Sequence, residues 1–365
     1  MPHDALGTLI GALLAIVSLV AFATHGLRTS SRKQKAIDDY YNPVTGRLVD
    51  LGDQAAPARR RRQARIDMLP PGATVNFTEE RKAADIEDVF AALDRDLVGL
   101  VPVKSKIQEI AALLLVDQAR QRFGLTAPRP NLHMCFTGPP GTGKTTVALR
   151  MAQMLFRLGY LEKNQLIHAM RDDLVGEYVG QTAPKTRRVL DRAKGGLLFI
   201  DEAYYLYRAT DSRDYGQETI DILLQVMENE RDKLVVILAG YKDRMDGFFE
   251  SNPGMSSRIA HHLDFAAYDI DELVAIGKVM LEMSSYYLSD PAEAAFRDYL
   301  VSRMAGPRFA NARSVRNELD RSRLRHAHRL ATAGDRHWNR DDLMRLEPSD
   351  IAAAARAAEG RLTTR

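Results

Sequence analysis

One stretch of eight residues restricts this chain more than any other: GPPGTGKT, at 138–145. It follows the apolar run LHMCFT and precedes TVALRMAQMLFRL, whose apolar residues recur at helical spacing. A strand that turns through Gly-X4-Gly-Lys-Thr straight into a helix is a phosphate-binding loop. Its glycines let successive backbone N–H groups curl round phosphate oxygens, and the helix N-terminus adds a favourable dipole. Gly138, Pro139, Pro140, Gly141, Thr142 and Gly143 form the cradle, with Thr146 following at the helix start. Lys144 would neutralise the β and γ phosphates and the Thr145 hydroxyl would bind Mg²⁺. The chain must therefore contain an α/β domain that binds a nucleoside triphosphate.

GGLLFIDEA, at 195–203, supplies a second half. Four apolar residues make a buried strand, and Asp201 and Glu202 appear where it leaves the sheet. Asp201 would hold Mg²⁺, commonly through water, and Glu202 would orient and deprotonate an attacking water. Two acids at a strand end can also be a plain solvated edge, but their pairing with the loop favours catalysis. Further strand-like runs, QLIHAM, KLVVILAG and HHLDF, alternate with helical stretches, which implies a parallel sheet between helices. After Phe265 the sequence reads as helices alone. The expected domains are a hydrophobic segment at 1–27, a flexible linker at 28–78, an α/β domain at 79–265 and an all-helical domain at 266–365. SDIAAAARAAEG would be its last helix, capped by Ser349 or Asp350.

Composition narrows the partners. A net charge of +3 on 365 residues gives no sign of general polyanion binding. The single cysteine, Cys135, cannot form an internal disulfide and sits in an apolar run, as a small core residue does. The nine histidines show no metal-ligand spacing. Residues 5–24, ALGTLIGALLAIVSLVAFAT, are uncharged and long enough for a bilayer-spanning helix. Arg28, Arg32, Lys33 and Lys35 follow it, so the positive-inside bias puts the rest of the chain in the cytoplasm. A cleaved signal, or two-part targeting to a plastid stroma, is the alternative reading of this segment.

The phosphate loop, the acid pair and the helical domain resemble the AAA+ ATPases. Residues 79–330 are similar, more narrowly, to the red-type Rubisco activase family (CbbX/CfxQ). RDDLVGEYVGQTAPKT, FIDEAYYLYR, RDYGQETIDILLQVMEN, LVVILAGYKDRM, SNPGMSSRIAHH and FANARSVRNELDRSRLR follow that family's pattern nearly continuously. The resemblance implies an AAA+ P-loop domain with a helical lid, ATP hydrolysis with Mg²⁺, and a ring, usually a homo-hexamer, with ATP between neighbours. It implies that Arg258 is the arginine finger and that Arg313 contacts phosphates from the lid, with Arg316 a weaker candidate. At the sensor-1 position this chain has Tyr241 where many AAA+ proteins carry Asn or Thr, so no sensor-1 residue is assigned. Tyr178, Val179 and Gly180 match the aromatic–hydrophobic–glycine loop of the central pore, where a ring grips a peptide by area and shape.

The family's client is the C-terminal tail of the red-type Rubisco large subunit, tugged to release an inhibitory sugar phosphate. Ribulose 1,5-bisphosphate is its allosteric ligand. Arg313, Arg316, Arg321, Arg323 and Arg325 could line a phosphate pocket, although their even spread puts them first on solvated helix faces. A membrane tether at residues 5–24 departs from the family and leaves open a membrane-associated motor on another protein client, of secretion or sporulation type. A nucleic-acid client is disfavoured, because the loop carries Glu177 and no Lys or Arg before Lys185.

Overall fold

The computed structural model describes residues 68–125, 128–207 and 215–351. The apolar run at 5–24 and most of the expected linker lie outside the described residues. Among the described residues, no helix is long and apolar enough to cross a membrane. The chain enters through three helices, α1 (Phe77–Ala83), α2 (Ile86–Asp96) and α3 (Val101–Arg122). Asn76 caps α1 by accepting from the Thr78 N–H, and the Leu69 N–H donates to the Arg122 carbonyl at 2.7 Å. The stretch from 68 to 78, read as linker, thus already packs on the domain.

Five strands follow: β1 (Met134–Thr137), β2 (Leu166–Ala169), β3 (Leu197–Ile200), β4 (Val235–Gly240) and β5 (His261–Asp264). They form one parallel sheet in the order β2-β3-β4-β1-β5. Every residue of β1, β3 and β4 is buried. Burial on both faces is why these strands are unbroken apolar runs rather than alternating ones. The crossovers are α4 (Lys144–Arg157), the short α5 (Arg171–Leu174) with α6 (Thr182–Ala193), α7 (Gly216–Asn229), and α8 (Lys242–Ser251) with α9 (Pro253–Ser256). A 3-10 turn, Ala203–Leu206, follows β3. The register aligns Thr137 with Gly240 and Ile200 with Leu238, so the C-terminal ends of β1, β4 and β3 lie side by side.

Helix α4, which begins at Lys144, is fixed from behind by a buried ion pair. Arg150 donates from Nε to Asp96 at 3.0 Å and from Nη1 to Gln153 at 2.8 Å. Both charges are out of water, and removing either would strand the other at a cost of about 3–5 kcal/mol. Cys135 lies in the sheet, fully buried; burial pushes its thiol up to about 12, which makes it an inert core residue.

The lid consists of α10 (Ile270–Glu282), α11 (Asp290–Met304), α12 (Asn311–Ala331) and α13 (Arg340–Met344). A capping box at Asp269 and Glu272 starts α10. The lid is not all-helical: β6 (Tyr287–Leu288) and β7 (Arg345–Leu346) pair in parallel. Two residues per strand are too few to give a periodic signal, and the pairing is made by tertiary return of the chain. The cap of the final helix also differs from expectation. The helix starts at residue 348, and Asp350 reaches back to accept from the Glu347 N–H at 2.9 Å, so Glu347 holds the cap position. Arg329 of α12 grips Asp350 with two hydrogen bonds of 2.9 and 2.8 Å. The rest of SDIAAAARAAEG, from 352, lies outside the described residues.

Candidate functional site

A cleft of about 660 Å³ opens at the C-terminal ends of β1, β3 and β4, and its walls include Gly138, Pro140, Gly141, Thr142, Gly143, Lys144 and Thr145. Asp201, Glu202, Gly240, Tyr241 and Arg313 complete it. The structure therefore brings together the loop, both acids and the lid arginine, which lie far apart in sequence. Pro139 and Thr146 flank the cleft without being among its lining residues. The lysine ammonium donates to the carbonyls of Gly138 and Pro139 at 2.8 and 2.7 Å. Burial lowers its pKa to about 8, against the pull of Asp201 and Glu202 and with the push of Arg313. Burial alone would raise the Asp201 carboxyl. His168, the Glu202 N–H and Lys144 outweigh that effect and hold it below its ordinary value. A low-lying carboxylate, a hydroxyl and two cations around a backbone cradle fit a magnesium–nucleotide triphosphate.

Glu202 sits in left-handed backbone, φ +51°, at the hinge between β3 and the 3-10 turn. A side chain there costs about 1–2 kcal/mol, and such strain gathers where a residue has to be aimed. Asp201 and Glu202 consequently diverge from one strand end while both face the cleft.

The lid meets the phosphate loop directly. Gly141 has φ +74°, and a Cβ there would lie 2.2 Å from the Ala310 carbonyl oxygen, so only glycine allows this approach. Asn311, buried and itself at φ +46°, donates to the Pro140 carbonyl at 3.1 Å and accepts from the Tyr268 N–H at 3.1 Å. The Tyr268 hydroxyl donates to the Thr142 carbonyl at 3.2 Å. Arg313 rides into the cleft on the first turn of α12. The remaining basic residues do not converge on it. Arg321 faces Glu318 and Arg323 faces Asp320, each at 3.7 Å along the same helix, and Arg325 donates to the Arg321 carbonyl.

Sequence reasoning missed Asn311, Tyr268 and His168. The His168 Nε2 stands 3.7 Å from the Asp201 carboxylate, and its ring stacks on Phe199 of the neighbouring strand. Only the register of β2 against β3 reveals that pairing.

Four predicted residues, Arg258, Tyr178, Val179 and Gly180, are not among the lining residues of this cleft. Arg258, between α9 and β5, donates to the Gly254 carbonyl at 2.8 Å and lies 3.5 Å from the Glu228 carboxylate. It does not line the cleft of its own chain. Tyr178 and Val179 stand in solvent, 67% and 80% exposed, rather than packing back on the domain. Gly180 turns the tip at φ +78° in open space. A Cβ at Gly176 would come within 2.6 Å of Gln181, so this glycine lets the loop base close tightly. The Gly176 N–H donates to Thr182 at 3.0 Å and Lys185 to the Val175 carbonyl at 3.1 Å. A fixed base thus carries a bare apolar tip.

A five-stranded parallel sheet with this cleft and a helical lid defines an ATPase of the AAA class, and the chain hydrolyses ATP. Residues 134–266 match the family described as ATPase family associated with various cellular activities, and residues 269–361 match the AAA lid domain. Within that class, the chain belongs to the CfxQ/CbxX family of red-type Rubisco activases. It is 60% identical over 278 residues to a CfxQ homolog of Guillardia theta, covering 76% of this chain and 95% of that one. Plasmid-encoded CbxX of Cupriavidus necator is 58% identical over 292 residues, covering 79% and 92%. The chloroplastic ribulose bisphosphate carboxylase/oxygenase activase of Cyanidioschyzon merolae is 56% identical over 278 residues, covering 76% and 95%.

Proposed function

We propose that this chain is a Rubisco activase: a ring-forming motor that spends ATP on tugging the C-terminal tail of the Rubisco large subunit and so frees sites blocked by sugar phosphates. The observation that carries the reading is the bare Tyr178–Val179 tip on its pinned base. A monomeric enzyme has little reason to hold an aromatic ring and a valine in water. A ring of copies would turn these tips inward, where they grip an extended peptide without demanding its sequence. The activase among the relatives supports Rubisco as client over other protein clients.

In this reading Lys144 and Arg313 bind the phosphates, Thr145 and Asp201 hold Mg²⁺, and Glu202 takes a proton from the attacking water. Bound Mg²⁺ supplies charge neutralisation at the β and γ oxygens. Lys144 gains full charge on meeting the phosphates and the lid keeps Arg313 facing them. Arg258 lies outside its own cleft, which supports its service in a neighbour's, where a cation stabilises charge developing on the phosphoryl group. A hexameric ring, an allosteric response to ribulose 1,5-bisphosphate and a membrane tether at residues 5–24 belong to the same proposal. The tether places the motor on the cytoplasmic face, the stromal location being the alternative.

The deciding experiment is reactivation of sugar-phosphate-inhibited red-type Rubisco by the full chain with ATP. Reactivation is expected, and Tyr178→Ala should lose it while basal ATP turnover persists. Retained reactivation in that variant would defeat the gripping role, and none by the parent chain would defeat the client assignment.

A further inference from the structure

The segment carrying Glu202 and the segment carrying Tyr178 are neighbours, although one belongs to the hydrolysis site and the other to the exposed loop. Backbone joins them first: the Asp201 N–H donates to the Ala169 carbonyl at the end of β2 at 2.9 Å. One residue beyond Met170, Arg171 opens α5 and donates from Nη1 to the Tyr205 carbonyl at 2.6 Å. Tyr205 lies in the 3-10 turn that begins immediately after Glu202. From Arg171, α5 leads within a single turn to Leu174, whose carbonyl is held by the Thr186 hydroxyl at 2.9 Å, and then to the loop base. Leu174 and Val175 share one buried cluster with Ala203, Tyr204 and Leu206. The same turn is held from its other side, where the Arg244 guanidinium lies 5.1 Å from the Tyr204 ring centre and donates to the Tyr205 hydroxyl at 3.2 Å.

We propose that Arg171 is a positioning residue that couples the Glu202 turn to the Tyr178 loop, so that the loop's placement follows the state of the hydrolysis site. Three features single it out. Its contact is a charged donor on a backbone carbonyl, which tracks the turn whatever the Tyr205 side chain does. It connects two short elements, a four-residue helix and a four-residue turn, neither of which is stiffened by length. The turn begins from strained backbone at Glu202, so a small change in that residue's dihedral angles displaces the Tyr205 carbonyl. The consequence for pulling rests on the gripping role of Tyr178; the coupling itself does not.

The test places a reporter on the loop. Trp338 is the chain's one tryptophan, so Trp338→Phe with Tyr178→Trp leaves a single emitter at the tip. In the full chain, this emission should differ between saturating ADP and a non-hydrolysable ATP analogue. Arg171→Met should remove at least four-fifths of that difference while a fluorescent ATP analogue binds within twofold of the parent. Arg171→Lys, which keeps a charged donor, should retain at least half of it, a rescue that a merely structural role would not give. Where the Met variant fails to fold, Arg171→Gln gives the same reading. An undiminished difference in the Met or Gln variant overturns the proposal, as does a parent reporter that ignores the nucleotide. The two proposals separate cleanly: reactivation by Tyr178→Ala with an Arg171-dependent signal would sink the gripping role and leave the coupling standing.

Discussion

Replacing Asn311 with alanine tests whether the lid is latched to the phosphate loop by that one side chain. The substitution removes a donor to the Pro140 carbonyl and an acceptor from the Tyr268 N–H, both 3.1 Å bonds. Asn311 is only 2% exposed; its bond to Tyr268 is buried and its bond to Pro140 is half-buried. Leaving the buried Tyr268 N–H unpaired costs about 1–3 kcal/mol, and losing the half-buried bond to Pro140 costs about 0.5–1.5 kcal/mol. Alanine must also hold φ +46°, a region asparagine tolerates and alanine avoids by about 1–2 kcal/mol. Even the lower ends of these ranges sum to about 2.5 kcal/mol, a factor of roughly sixty in lid docking, since about 1.4 kcal/mol is tenfold. Arg313 swings with the lid, so affinity for a fluorescent ATP analogue should fall at least tenfold and the melting temperature should drop. Asn311→Gly relieves the backbone strain but not the lost bonds, and should lie between parent and Asn311→Ala. An alanine variant within twofold of the parent in affinity, with an unchanged melting temperature, would refute the latch.

Lys144→Ala should abolish equilibrium nucleotide binding, and normal ATP affinity there would remove the lysine from the phosphate contact. Arg258→Ala should bind ATP like the parent and lose turnover, whereas unchanged turnover would make it a surface arginine. Lys144 also predicts a pH signature. Without nucleotide its pKa is about 8, so at that pH and above a fraction is neutral and triphosphate binding should take up protons, measured calorimetrically in buffers of differing ionisation heat. The folded value lies below the ordinary 10.5, so the unfolded chain holds the extra proton between the two. Stability of the nucleotide-free protein, relative to Lys144→Met, should therefore rise with pH across that window. A flat difference would show that the lysine is not buried as charge.

The sheet was legible because burial on both faces writes strands as apolar runs, and the cleft because Gly138–Thr145 and Asp201–Glu202 carry local patterns tied to phosphate chemistry. The β6–β7 pair was not, since two residues have no period. Asn311 was hidden for another reason: its value lies in a left-handed backbone and in two partners, Pro140 and Tyr268, remote in sequence. His168 needed the register of two strands, and the role of Gly176 needed the position of Gln181, because a glycine that permits crowding and one that permits motion look identical in a string of letters.

Between Gly141 and Ala310 there is main chain on both sides and nothing soft in between. A side chain at such a joint would absorb small movements by changing rotamer; two backbones cannot. Any shift of the phosphate loop must therefore turn α12 as a rod. Twenty-one residues make that rod about 30 Å long, so a tilt of about 5° at the joint carries its far end, with the Arg329–Asp350 clasp, by nearly 3 Å.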